Sequence, residues 1–257
     1  MRAAFDAQVR RKTRADEPGA VVEADAGVLR CLAPGTQTSY ITWSELTRDS
    51  AAAVIAAQVR YFAARGTPVE WTLYDYDQPA DLAQRLLAAG FVPDDKELML
   101  VAETAAIDCD VKLPDGVRLD PVTDTAGVEA MMAVQDLAFT EDPSPELGER
   151  LATQLREAPE LGRMIVAMAG DEPVSAARVE FIPGTDFAGL WGGGTVPAWR
   201  GRGIYRALVA YRAGLAAARG YRYLQVDALP TSRPILQRLG FEPVATTTPY
   251  VWTPPDR

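Results

Sequence analysis

Apolar positions recur at helical spacing in two places along the chain. Ala52, Ile55, Val59 and Phe62 stripe residues 51–66, and Ile204, Leu208, Tyr211 and Leu215 stripe a second helix. Both helices end in the same letters, AARG at 63–66 and at 217–220. A strand-like run follows each, VEWTLYDYD (69–77) and YRYLQVD (221–227). Next comes a short helix with proline near its start and glycine at its stop, Pro79 and Gly90 in 78–91, Pro234 and Gly240 in 231–241. ELMLV (97–101) and YVW (250–252) supply the closing strands.

The agreement in order reads as an internal repeat. AARG recurs 154 residues on and the G-F-x-P signature 150 residues on, a difference of four placed in one loop. Upstream of the first helix, AVVEAD, GVLRCLA and SYITW occupy strand slots. In the second half VKLPDGVRLDPVTD (111–124) leads from a linker into a strand. Two helices, 125–139 and 144–157, are joined by EDPSP. GRMIVAMAG, PVSAARVEF and FAGLWGGGTV then read as three strands, with turn signals at Gly170-Asp171 and Pro183-Gly184. The expected fold is α/β with a mixed sheet (α+β), in two domains, 1–110 and 111–257.

Composition narrows the function. With 26 basic and 35 acidic residues the formal net charge is −9, which speaks against a nucleic-acid partner. Histidine is absent, so proton transfer must use Asp, Glu, Tyr, Ser, Thr, Lys, Cys or water. Cys31 and Cys109 match no metal spacing, and no metal is expected. No apolar run is long enough to span a membrane, and the first residues lack the apolar stretch of a secretory signal. A reduced, cytoplasmic protein without a membrane partner is the expectation, either monomer or homodimer.

Against that acidic background, PAWRGRGIYRALVAYR (197–212) gathers arginines and two glycines where a strand becomes a helix. Unpaired N–H groups in the first turn and the helix dipole make such a turn an anion site, best suited to phosphate. Gly201 and Gly203 allow close backbone approach, and Arg200, Arg202 and Arg206 add charge at the rim. Neither a phosphate-loop Gly-Lys-Ser/Thr nor a dinucleotide G-x-G-x-x-G is present.

This stretch, followed by an Ala-rich helix, a strand and L-x-x-L-G-F, resembles the acetyl-CoA site of the Gcn5-related N-acetyltransferases (GNAT). In that family Arg/Gln-x-x-Gly-x-Gly/Ala wraps the coenzyme A pyrophosphate, and Arg200, Gly203 and Tyr205 stand at those three places. Tyr205 departs from the small residue of the pattern. The resemblance implies that the strand at 190–196 bulges and splays, with backbone near Gly194 and Thr195 holding the pantetheine arm and the acyl carbonyl. Gly193, Gly194, Thr195, Val196, Arg200, Gly201, Arg202, Gly203, Ile204, Tyr205, Arg206 and Ser232 are then the expected coenzyme contacts. Acetyl-CoA, or another acyl-CoA, is the implied co-substrate, and a small-molecule amine the implied acceptor. The close resemblance covers 117–253, and the first half is a degenerate copy lacking the loop.

The reaction needs a base for the ammonium, a donor for the oxyanion and an acid for the leaving thiolate. Backbone near Thr195 fits the donor. Glu180 and Asp227 are the candidate bases. Many family members carry an acid tyrosine four residues before the glycine of G-F, where this chain has Leu236, so Tyr250, Ser232 or water are the substitutes. Trp191 and Trp199 read as core first and as acceptor-pocket wall second. One coenzyme per chain is expected, because TWSELTRDSAAAV (42–54) enters its helix without glycine and Ser44, Thr47, Asp49 and Ser50 are placed to cap it. Two other readings stay open, a non-catalytic acyl-CoA-binding regulator and an enzyme acting on a protein lysine or N-terminus.

Overall fold

A computed structural model describes every residue of the chain except 16, 17, 36, 140–144, 256 and 257. Helix α1 (Arg2–Phe5) runs into a π-helical turn (Asp6–Arg10). Strands β1 (Val21–Asp25), β2 (Val28–Leu32) and β3 (Ser39–Ser44) precede α2 (Ala51–Arg65), β4 (Val69–Tyr74) and α3 (Leu82–Ala88). Then come β5 (Val92–Pro93), β6 (Glu97–Glu103), β7 (Val117–Pro121), α4 (Thr125–Ala138) and α5 (Pro145–Glu157). The rest is β8 (Gly162–Ala169), β9 (Glu172–Phe181), β10 (Phe187–Thr195), α6 (Ile204–Ala218), β11 (Tyr223–Ala228), α7 (Arg233–Arg238) and β12 (Glu242–Trp252). The mixed α/β class read from the sequence is the class observed.

The chain forms two compact units. The first holds Met1–Met99, Asp227–Pro230 and Pro243–Arg257, and the second Leu100–Val226 and Thr231–Glu242. In the first, β1, β2 and β3 pair antiparallel, β3 pairs β4 in parallel across α2, and β12 pairs β4 antiparallel. In the second, β7, β8, β9 and β10 pair antiparallel, and β10 pairs β11 in parallel across α6. One strand–helix–strand crossover thus sits in each unit.

The core of the first unit joins Ile55 and Phe62 of α2 to Trp71, Leu86, Phe91, Tyr250 and Trp252. The buried face of α2 runs through Ala51, Val54, Ile55, Gln58 and Phe62. Ala52, expected in that stripe, is exposed. Gln58 is buried because its amide oxygen accepts 2.8 Å from Arg30 Nη1, satisfying a polar group that apolar periodicity cannot count. Pro79 lies in the turn before α3, which begins only at Leu82. Of the EDPSP connection, residues 141–144 lie outside those described.

In the second unit β9 is buried on both faces. Ala176 packs with Met131 and Val134 of α4, whereas Ala177 packs with Leu208 of α6. Side chains this small let a helix close on each side of the strand. The start of α4 is fixed by Asp124, whose carboxylate accepts 2.9 Å from the Gly127 N–H. The consequence for β10 is that α4 and α6 flank it as well.

Candidate coenzyme site

Strand β10 is parallel to β11 only over Phe187–Gly189, opposite Tyr223–Gln225. On its other edge the register with β9 shifts between Trp191 and Gly194, so Gly192 and Gly193 lie in a bulge. The glycines are required by crowding. A Cβ on Gly193 would stand 2.9 Å from Tyr205 Cε2, and one on Gly194 2.8 Å from both Ala138 Cβ and Phe139 Cε2.

Side chains fix the peptide planes of this stretch. The Gly192 carbonyl accepts 2.6 Å from Gln135 Nε2, and the Gly194 carbonyl accepts 2.6 Å from the Ser175 hydroxyl. Ser175 also shares a 2.8 Å hydrogen bond with the Thr195 hydroxyl. Arg200 donates Nε to the Thr195 carbonyl (3.0 Å) and Nη2 to the Ala138 carbonyl (2.9 Å), tying the end of α4 to the end of β10. Arg200, expected at the phosphate rim, also braces this turn.

Beyond Arg200 the chain turns through Gly201 (φ +76°) into Gly203 (φ +84°), the N-cap of α6. No side chain caps this helix, and its first backbone bond runs from Ala207 N to Gly203 O at 3.1 Å. The N–H groups of Ile204, Tyr205 and Arg206 precede that bond and have no intrahelical acceptor. Arg202 stacks 4.4 Å from the Trp199 ring centroid, and Arg206 pairs with Asp108 at 3.1 Å. Each rim arginine therefore has a protein partner. An open groove of about 550 Å³ is lined by Arg206 together with Asp108, Ile235, Arg238 and Leu239. Val196 and Ile204 are buried, their side chains packing beneath the turn.

Glu180 shares the second unit with this turn and is ion-paired with Arg178, Nε to Oε1, at 2.9 Å. The other two candidates for proton transfer are placed in the first unit. Asp227 is the second residue past Gln225, where the β10–β11 pairing ends. Burial lifts its pKa to about 6, opposed by a 3.3 Å hydrogen bond from Thr247 and reinforced by the nearby Glu70 carboxylate. Tyr250 lies in the apolar core beside Trp71, opposite it in the β4–β12 ladder. Trp191 is half-buried, its ring 5.9 Å from the Arg178 guanidinium, and Trp199 packs against the core of the second unit.

Arg212, the last of the four arginines in 197–212, has no role assigned from the sequence. It lies on α6 at 1% exposure, donating Nε to the Leu208 carbonyl (3.0 Å) and Nη1 to the Arg178 carbonyl (3.1 Å). Its one sequence signal is a lone charge inside VAYRAGLAAA, on a helix otherwise apolar over two turns. Gln135 and Ser175, which orient the bulge, carry no such signal.

No curated protein sequence matches the chain. Among solved structures, a GCN5-related N-acetyltransferase from Kribbella flavida has a TM-score of 0.70 at 21% identity, over 92% of this chain and 90% of its own. A GCN5-related N-acetyltransferase from Sphaerobacter thermophilus gives 0.63 at 16% identity, over 91% and 83%. A tandem GNAT protein from the clavulanic acid biosynthesis pathway gives 0.63 at 13%, over 93% and 86%. At these identities the likeness is one of fold. The acetyltransferase (GNAT) family model matches residues 128–241, the stretch that holds the bulge, the glycine turn and α6, so it is this part of the chain that is similar to that family in sequence.

Proposed function

We propose that the chain is an acetyl-CoA-dependent N-acetyltransferase whose acceptor is the primary amine of a small molecule. The observation that carries this reading is the uncapped start of α6 behind a left-handed Gly203, directly after the bulged β10. Three outward N–H groups and the helix dipole suit the pyrophosphate. The residues present fit coenzyme A, since nothing lies within 4 Å of a Cβ built on Gly201 or Gly203. In the reaction the neutral amine attacks the thioester carbonyl, whose oxygen is stabilised by backbone N–H at the bulge, and the coenzyme sulfur leaves. Asp227 and Glu180 are the two candidate bases. A pKa of about 6 leaves Asp227 ionised at neutral pH yet basic enough to accept a proton, whereas Glu180 is committed to Arg178.

A second reading has a specific observation behind it. Glu180 is held by an arginine, Tyr250 is core, and Leu236 occupies the family's acid position, an arrangement that also suits a non-catalytic acyl-CoA-binding module. Release of free thiol from acetyl-CoA over a panel of small amines separates the two. Amine-dependent thiol release supports the enzyme. Tight coenzyme binding with no release from any amine or from lysine peptides supports the binding module.

A further inference from the structure

We propose that Tyr205 donates the proton taken up by the leaving coenzyme A sulfur, with Arg212 stabilising the negative charge that the transfer leaves behind. This inference rests on the reading of the chain as an acyltransferase. Leu236, where the family places its acid, is fully buried and carries no exchangeable proton on its side chain. Tyr205 in turn stands where the coenzyme motif has a small residue. The two departures answer each other, because one position has lost a phenol and the other, in the same unit, has gained one.

The geometry around Gly193 supports the assignment. The Tyr205 ring passes behind the bulge, with Cε2 2.9 Å and Cζ 3.7 Å from the place where a Gly193 Cβ would be, so only glycine admits it. Arg212 Nη2 reaches the same place, at 3.5 Å. The phenol oxygen is hydrogen-bonded to Ser232 at the N-cap of α7, which fixes the ring's direction. Ring and guanidinium thus converge on the bulged backbone, and Ser232 holds the phenol oxygen.

Arg212 is the less expected member. A fully buried guanidinium without an acid costs several kcal/mol. Among the described residues no carboxylate pairs with it, and its bonds go to two backbone carbonyls while Arg178 adds a second positive charge nearby. Burial lowers its pKa to about 10, which leaves it charged at neutral pH. Such a cation is useful where an anion forms briefly. Burial raises the Tyr205 pKa, and Arg212 with the Ser232 bond pulls it back, so the phenol is protonated at rest and its anion has a stabilising neighbour.

The step balances without another reagent. The amine nitrogen forms the C–N bond and loses its proton to the base, and the carbon–sulfur bond breaks with its electron pair going to sulfur. Sulfur takes the Tyr205 proton and leaves as the thiol. The phenolate, held by Arg212 and Ser232, is reprotonated by water.

Tyr205→Phe keeps the ring and removes only the oxygen, so packing against Gly193 persists. The expected result is a kcat with acetyl-CoA reduced about 100-fold, in the range of general acid catalysis, with coenzyme A affinity by calorimetry within about threefold of the parent. A readout without turnover accompanies it, the ultraviolet absorbance of the thiolate of bound coenzyme A followed against pH. In the parent the bound thiol should titrate below the free thiol, and in Tyr205→Phe and Ser232→Ala it should move back up. If Tyr205→Phe retains full kcat and the bound thiol titrates unchanged, the proposal is overturned and the acyltransferase reading stands. If the parent binds coenzyme A but transfers to no amine, the thiol titration still decides between a proton-donating and a space-filling Tyr205. A parent that binds no coenzyme A overturns both readings.

Discussion

Gly203 adopts φ +84° with open space around its missing side chain, so a substitution there is opposed by backbone strain rather than by collision. A left-handed non-glycine residue costs roughly 1–2 kcal/mol. Gly203→Val is therefore expected to lower the melting temperature by a few degrees and to abolish the further stabilisation that coenzyme A gives, measured by thermal shift with and without ligand. A preserved coenzyme shift would show that the phosphates lie elsewhere. Asp227 makes a prediction of opposite character. Its pKa in the folded chain, about 6, exceeds the ordinary 3.8, so the folded state holds this proton more tightly than the unfolded one. The stability it contributes is complete below about pH 4 and is lost as pH rises through about 6. Asp227→Asn should accordingly gain melting temperature over the parent at pH 8 but not at pH 4. If Asp227 is the base, the same variant should lose the rise of kcat/KM centred near pH 6. The glycines were legible in the sequence because a special backbone needs a special residue. Arg212, Gln135 and Ser175 were not, since their roles depend on partners tens of residues away on other elements.

At the scale of elements, the starts of α2 and α6 occupy corresponding places in the two units and differ in chemistry. Before α2, the Ser50 N–H donates to Thr47 Oγ1 at 3.1 Å and the Thr47 N–H to Ser50 Oγ at 3.0 Å, a reciprocal cap like a capping box. Ser44, counted among the capping residues on sequence grounds, is buried with its oxygen unpartnered, and it caps nothing. The helix turn before α2 therefore closes on its own side chains, whereas that before α6 closes on none. Titration calorimetry with coenzyme A is expected to return about one site per chain. A stoichiometry near two would mean that the Thr47–Ser50 pair yields to phosphate. Most elements were readable because periodicity and glycine stops are local signals. On α2 the expected stripe holds at Ile55 and Phe62 and fails at Ala52, and it could not include Gln58, which is buried because it and Arg30 satisfy each other inside the core. The sequence predicts only the last three residues of β12, since Glu242–Pro249 carries two prolines and three threonines, and its Thr247–Pro249 becomes strand through pairing with β4.

At the scale of the molecule, the order helix, strand, short helix, strand occurs twice, but the compact units are not two consecutive lengths of chain. The closing strand of the second repeat, β12, belongs to the first unit, where residues Thr247–Trp252 pair with Val69–Tyr74 of β4 and bring Tyr250 and Trp252 into the core with Trp71 and Phe91. The closing strand of the first repeat, β6, contributes Leu100, Val101 and Ala102, all buried, to the second unit, where it lies beside β11. Cutting between residues 110 and 111 would thus strip each unit of a central or closing strand. Two large aromatic side chains lost from the first core represent roughly 1.5–3 kcal/mol each, and six ladder positions on β4 would be left open. A domain's net stability is only about 5–15 kcal/mol, so neither piece should fold alone. The expected outcome is that 1–110 and 111–257, expressed separately, lack a cooperative thermal transition and dispersed amide resonances. Co-expressed, they should assemble into a complex that binds coenzyme A as the intact chain does. Cooperative unfolding of isolated 1–110 would show that its core tolerates the absence of β12, and the strand exchange would then carry no weight in holding the two repeats in one molecule.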